Sequence, residues 1–180
     1  MAITFETLDD LRHGNEKQRR AHQVLTSHSV FVNLLDFDPM LVGTIPLDID
    51  TEKSDLDIIC CWKSKNLFIE TLIENFAHHH AFLLTEKKIG NHETILTTFQ
   101  IDEFEIEIFG QNRPSKQQEG YRHMMIEHKI ISSNDEAFRQ KIIDLKKLGL
   151  TTEQAFAKQL NLAGDPYQEL LKFGEQHFNT

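Results

Sequence analysis

Two periods of apolar recurrence divide the chain. Behind a capping box of Asn15 and Gln18, the residues Ala21, Val24 and Leu25 fall at helical spacing and predict a helix over about 16–28. A weaker helical pattern through Phe31, Leu34 and Leu35 stops at Asp38-Pro39, after which Met40, Leu41 and Val42 read as a short strand entering a Gly43-Thr44 turn. Asp55 to Trp62 reads as a second strand. From Ser64, the residues Leu67, Phe68, Leu72, Phe76 and Ala77 form the inner face of a helix that ends near His78, His79 and His80. Three strands over about 81–88, 93–101 and 104–109, separated by Gly90-Asn91 and Asp102-Glu103, predict an antiparallel meander.

Beyond Gly110 the pattern is helical. Ser133 to Glu136 reads as a capping box, opening a helix that closes at Lys146, Lys147 and Gly149. Thr151 to Gln154 caps the next, which Gly164 ends, and Asp165, Pro166 and Gln168 open the last. The expected fold class is α/β of the α+β kind, a mixed sheet flanked by helices. Residues 1–112, including the N-terminal helix, make the core, and a helical C-terminal region over 113–180 packs on it.

Composition narrows the setting. With 180 residues, 39% of them hydrophobic, the chain suffices for one compact core. No stretch approaches the roughly 20 apolar residues of a membrane span, and the opening segment lacks a signal-like apolar core. A cytoplasmic protein without membrane contact is therefore expected. Cys60 and Cys61 are adjacent, their Cα atoms about 3.8 Å apart, which is too close for ordinary disulfide geometry, so both read as reduced. The formal charge of -9 argues against nucleic acid as a partner, because that affinity rests on Lys and Arg.

The strand period raises a chemical question. Alternation puts Leu56, Ile58 and Cys60 on one face and Asp55, Asp57 and Ile59 on the other. In Phe104 to Phe109 it turns Phe104, Ile106 and Ile108 inward and leaves Glu105 and Glu107 opposite, with Phe109. If the two strands are neighbours, about 4.8 Å apart, one of these glutamates reaches the aspartates. A wet sheet face also alternates in this way, so either acidic strand alone has a structural explanation. Three converging carboxylates repel one another and call for a divalent cation, and an all-oxygen set favours Mg²⁺ or Mn²⁺.

The joint pattern goes further. A Gly43-Thr44 turn, then Ser54-Asp55-Leu56-Asp57, then a later carboxylate flanked by isoleucines resembles the signature of the nucleotidyltransferase superfamily related to DNA polymerase β. Over nearly the whole chain, GTIPLDID with SDLDIIC, IEIFGQ, YRHMMIE and GLTTEQAFAKQLNLAGDPYQELL resemble a small bacterial family of unknown function, family 4269, with that fold. The resemblance implies that Asp55, Asp57 and Glu107 hold the metal, and it selects Glu107 over Glu105. It further implies that Gly43, Thr44 and Ser54 line a nucleoside triphosphate. Thr44 replaces the usual serine and keeps its hydroxyl. The implied reaction moves a nucleoside monophosphate to a hydroxyl of a small molecule or protein. The alternative is a binding or regulatory module of the same fold, such as one partner of a toxin and antitoxin pair.

Other features carry less. Arg122 and His123 are candidates for contacting the triphosphate or positioning the acceptor, with structural roles as the alternative. Vicinal helical side chains point about 100° apart, so His78, His79 and His80 read as a solvated helix end rather than a metal site.

Overall fold

The computed structural model describes residues 8–178; the reading of the opening segment falls partly on residues 1–7, outside that range. After a short helix α1 (Asp9–Arg12), Asn15 and Gln18 cap α2 (Glu16–Ser27) reciprocally. The Asn15 side chain accepts from Gln18 N–H at 2.8 Å, and the Gln18 side chain accepts from Asn15 N–H at 2.9 Å. Two donors that a helix start leaves open are thereby satisfied. A one-turn helix α3 (Val30–Asn33) and a 3₁₀ turn (Leu35–Phe37) lead into the sheet.

That sheet contains β1 (Met40–Val42), β2 (Leu56–Cys61), β3 (His80–Ile89), β4 (His92–Ile101) and β5 (Phe104–Gln111), in the order β1-β2-β5-β4-β3. β2 and β5 run parallel, and every other pairing is antiparallel. Parallel neighbours need a long crossover. Here α4 (Lys65–Phe76) and the β3–β4 hairpin supply it, bringing β5 back beside β2. The meander and both central strands therefore stand where the apolar alternation put them.

Each face of the sheet has its own core. Leu56, Ile58 and Cys60 of β2, with Phe104, Ile106 and Ile108 of β5, pack against Val24 and Leu25 of α2 and against Phe68, Leu72 and Phe76 of α4. Gly110 is what lets α4 lie so close, since a Cβ there would run into the Phe68 ring. On the other face, Ile59 and Phe109 meet four helices: α5 (Glu119–Ser132), α6 (Glu136–Lys147), α7 (Thr152–Gln159) and α8 (Pro166–Phe178). Met124, Ile130, Phe156 and Leu170 fill the space between them.

Three local expectations need correcting. Leu67 is 53% exposed and Ala77, just past the end of α4, is exposed as well, because the buried stripe of α4 is Phe68, Leu72 and Phe76 at strict four-residue spacing, and Leu67 precedes it by about 100°. The cap of α6 is Asp135, whose carboxylate accepts from Phe138 N–H at 2.9 Å, and not Ser133, which directly follows α5. Gly164 lies beyond α7, which stops at Gln159, with Asn161 taking the left-handed turn at φ 55°. The cysteines are free, with Cys60 buried. Among the described residues no helix is long and apolar enough to cross a membrane.

Candidate active site

The face that alternation assigns to the acids is covered along only part of its length. Ile59 and Phe109 lie under the C-terminal helices, whereas one step back along each strand Asp57 and Glu107 open into a cavity of about 660 Å³. The two acids are direct partners across the parallel ladder, Asp57 opposite Glu107. Asp55 lies just before β2 and lines the same cavity. Glu105 sits opposite Gln100, is exposed, and does not line it.

Asp57 is also bound to the glycine turn. Val42 is its partner on β1, and Gly43 follows with φ 83°, a conformation costly for any residue with a Cβ. A Cβ on Gly43 would in addition collide with the Asp57 carboxylate. Glycine is therefore required at this position twice over, by its backbone angle and by the acid lying against it. Next to it the Thr44 hydroxyl donates to Ser54 Oγ at 3.1 Å, and Ser54 Oγ accepts from Thr51 N–H at 3.0 Å. The two hydroxyls thus flank the cavity mouth together, although ten residues separate them in sequence.

The intervening loop is pinned from both sides. From α2, the Gln18 side-chain amide donates to Ile45 O at 2.8 Å and Lys17 donates to Thr51 O at 2.7 Å. From α6, Arg139 donates to Leu47 O at 3.0 Å and Lys146 to Ile49 O at 2.8 Å. A loop held at these four carbonyls presents its turn with little ordering cost left to a ligand.

Electrostatically the acids are unbalanced. The side chains of Asp55, Asp57 and Glu107 make no hydrogen bond and no ion pair to the described residues. Burial pushes the Asp57 carboxyl up to about 8, and the Asp55 and Glu107 charges add to the rise. Glu107 is raised for the same reasons, burial first and then Asp55. Half-buried carboxylates without partners are expensive, and an all-oxygen, multiply negative wall is suited to a hard divalent cation. The donor set therefore fits Mg²⁺ or Mn²⁺ chemically. As a set the three stand wider than the tightest cluster present: among the described residues the trio whose ligand atoms all lie within 4.8 Å is His123, Glu127 and Glu153.

That second group was not read as a unit from sequence. His123 and Glu127 stand one turn apart on α5, and Glu153 lies in the first turn of α7; all three line the same cavity, as does Lys146. Burial pushes the Glu127 carboxyl up to about 8 and brings Lys146 down to about 8. It also lowers His123. Lys53 and Arg113 add cationic groups to the cavity wall. Arg122 does not reach this cavity. Its guanidinium pairs with Glu175 on α8 at 3.0 Å and borders a separate depression. The His78 and His79 rings lie 4.1 Å apart, and His79 stacks on Phe99, away from the acids.

Comparison with known proteins agrees with the architecture. No curated protein matches the chain. Among solved structures, that of the GLD-2/RNP-8 complex superposes with a TM-score of 0.52 at 11% identity, covering 93% of this chain and 64% of that one. A structure of Cid1, described through its RNA terminal uridylyl transferase activity, gives 0.53 at 13% identity over 73% and 41%. Another, of the Cid1 poly(U) polymerase with Mg 3'-dATP bound, gives 0.51 at 15% over 87% and 48%. The chain thus spans 41 to 64% of the length of these proteins, and at such identities the likeness is one of fold. The exclusion of nucleic acid read from the net charge finds no support in it. A family model described as a domain of unknown function, DUF4269, matches residues 23–173, so the chain belongs to that family, on a nucleotidyltransferase-like mixed sheet.

Proposed function

We propose that the cavity binds a nucleoside triphosphate with a divalent cation and transfers its nucleoside monophosphate to a hydroxyl acceptor. One observation carries this reading: three carboxylates without partners share a wall with a glycine turn that one of them lies against. Asp55, Asp57 and Glu107 would hold Mg²⁺ or Mn²⁺, which would neutralise phosphate charge and stabilise the departing pyrophosphate. Gly43 leaves room for the Asp57 carboxylate against the turn, so that phosphate held by the metal would lie beside the turn's backbone, and the Thr44 and Ser54 hydroxyls offer donors there. Lys53 and Arg113 supply positive charge along the wall for the same phosphates.

Glu107 has a second use. Facing the cavity beside the other two acids, its carboxylate can orient the acceptor hydroxyl or accept its proton. His123 lines the cavity and is available to an acceptor; Arg122, engaged with Glu175, is assigned to structure. The acceptor is taken to be a small molecule or a protein.

Two measurements test this. Incubation with Mg²⁺ or Mn²⁺, each nucleoside triphosphate and separate pools of hydroxylated small molecules, protein and RNA oligonucleotide is expected to release pyrophosphate. One pool should gain the mass of a nucleoside monophosphate. Mass gain by the RNA alone would move the acceptor to nucleic acid, and metal-dependent binding with no pyrophosphate from any pool would favour a regulatory module. Separately, Glu107→Gln is expected to lower transfer by about 10²-fold or more and Glu105→Gln by less than about threefold, since only Glu107 faces the cavity. The reverse order would move the third acid to Glu105.

A further inference from the structure

We propose that His123, Glu127 and Glu153 form a second cation site, separate from the Asp55, Asp57 and Glu107 wall, that takes a borderline transition-metal ion such as Zn²⁺ through one imidazole nitrogen and two carboxylate oxygens. The placement comes from two helices. His123 and Glu127 are four residues apart on α5, so both project from one face, and the short α6–α7 connection sets Glu153 of α7 against that face. Their potential ligand atoms all lie within 4.8 Å of one another, hence within about 2.8 Å of a common centre, and small side-chain adjustments bring them to the roughly 2.0–2.2 Å of metal–nitrogen and metal–oxygen bonds.

Independent of this clustering, two of the three are buried with unmet bonding capacity. Glu127 is 3% exposed, yet makes no hydrogen bond or ion pair to the described residues and faces the cavity. His123 is 6% exposed, and its Nδ1 has no hydrogen-bond partner. The nearby cation, Lys146, is close enough for its charge to temper the rise of the Glu127 carboxyl, but its ammonium donates to Ile49 O at 2.8 Å and forms no ion pair with either glutamate. A buried acid without a partner is costly, and a cation held by its carboxylate and one imidazole nitrogen offsets that cost. The Tyr167 ring, edge-on to His123 at 6.1 Å, packs against the imidazole.

The donor set chooses the ion. Imidazole with carboxylates suits Zn²⁺, Mn²⁺ or Co²⁺, whereas Mg²⁺ and Ca²⁺ prefer oxygen alone. Burial lowers the imidazole's proton affinity, which keeps its lone pair available at neutral pH. Three protein ligands leave at least one position open toward the cavity, where a water or an acceptor oxygen can enter.

This site does not depend on nucleotidyl transfer and is tested without it. Co²⁺ alone is titrated into the wild-type protein in chelator-stripped buffer, following its visible absorption bands. The expected result is one equivalent with bands of mixed nitrogen and oxygen ligation, at least tenfold weaker in Glu127→Gln and in His123→Asn, and retained in Asp57→Asn. Competition by Zn²⁺ should abolish the bands, and millimolar Mg²⁺ should not. Glutamine matches the shape of Glu127 without its charge, so that variant is expected to fold; should it not, Glu153→Gln at the half-buried start of α7 serves the same comparison. Absence of bands in the wild type, bands unchanged in all these variants, or bands lost only in Asp57→Asn would each overturn the proposal.

Discussion

Asp57→Asn is expected to lower nucleotidyl transfer by about 10³-fold or more while leaving the fold intact, the loss being read as pyrophosphate release at saturating Mg²⁺. Asp57 stands where three strands meet at the site. It pairs with Val42 on one side and Glu107 on the other, so it ties β1, β2 and β5 together at the point where the covered face of the sheet becomes the cavity. Its carboxylate also lies against Gly43, the turn meant to receive phosphate. An amide keeps the shape but offers a metal one neutral oxygen in place of an anionic pair. Retention of more than about a tenth of wild-type turnover by a folded Asp57→Asn would remove this residue from the chemistry.

The second large effect is on stability, and its sign is opposite to that of an ordinary paired acid. Burial and the neighbouring acids raise the Asp57 carboxyl from 3.8 to about 8, so the folded protein binds a proton that the unfolded chain releases at much lower pH. Stability from this group therefore falls as pH rises from about 4 to about 8, and the full penalty is present above about 8. In chelator at pH 8–9, Asp57→Asn is expected to melt higher than the wild type by about 3–8 °C, corresponding to roughly 1–3 kcal/mol after the amide's own desolvation. The excess should shrink toward zero near pH 4. Glu127 and Lys146 also titrate near 8, and comparing both proteins at each pH largely cancels them. In millimolar Mg²⁺ the wild type should gain and the variant should not. A variant that melts lower than the wild type at every pH would mean that Asp57 serves as a structural partner.

Much of this site is legible in the sequence because it rests on local periods. Alternation alone puts Asp57 on one face of β2 and Glu107 on one face of β5, and the Asn15 and Thr151 caps are local patterns that the structure keeps. What alternation cannot supply is register. That Asp57 stands opposite Glu107, and not Glu105, follows from a parallel pairing across some fifty residues of intervening α4 and hairpin, which no local pattern encodes. The His123, Glu127 and Glu153 cluster was missed for a related reason. Its first two members do carry a local signal, a histidine and a glutamate one helical turn apart on a face otherwise made of Ile126, Ile130 and Met124, but the third arrives from α7 by tertiary packing. Arg122, adjacent to His123, was grouped with it by sequence; a helix sends neighbours about 100° apart, and the two side chains go to different surfaces.

The central claim is that the carboxylate cavity is a metal and triphosphate site, and calorimetric titration of a non-hydrolysable nucleoside triphosphate into the wild-type protein, in Mg²⁺ and again in chelator, addresses it without knowledge of any acceptor. The account predicts binding at least about tenfold tighter in Mg²⁺, with that gain lost in Asp57→Asn. Equal affinity with and without the metal, or the same gain in the variant, would contradict it.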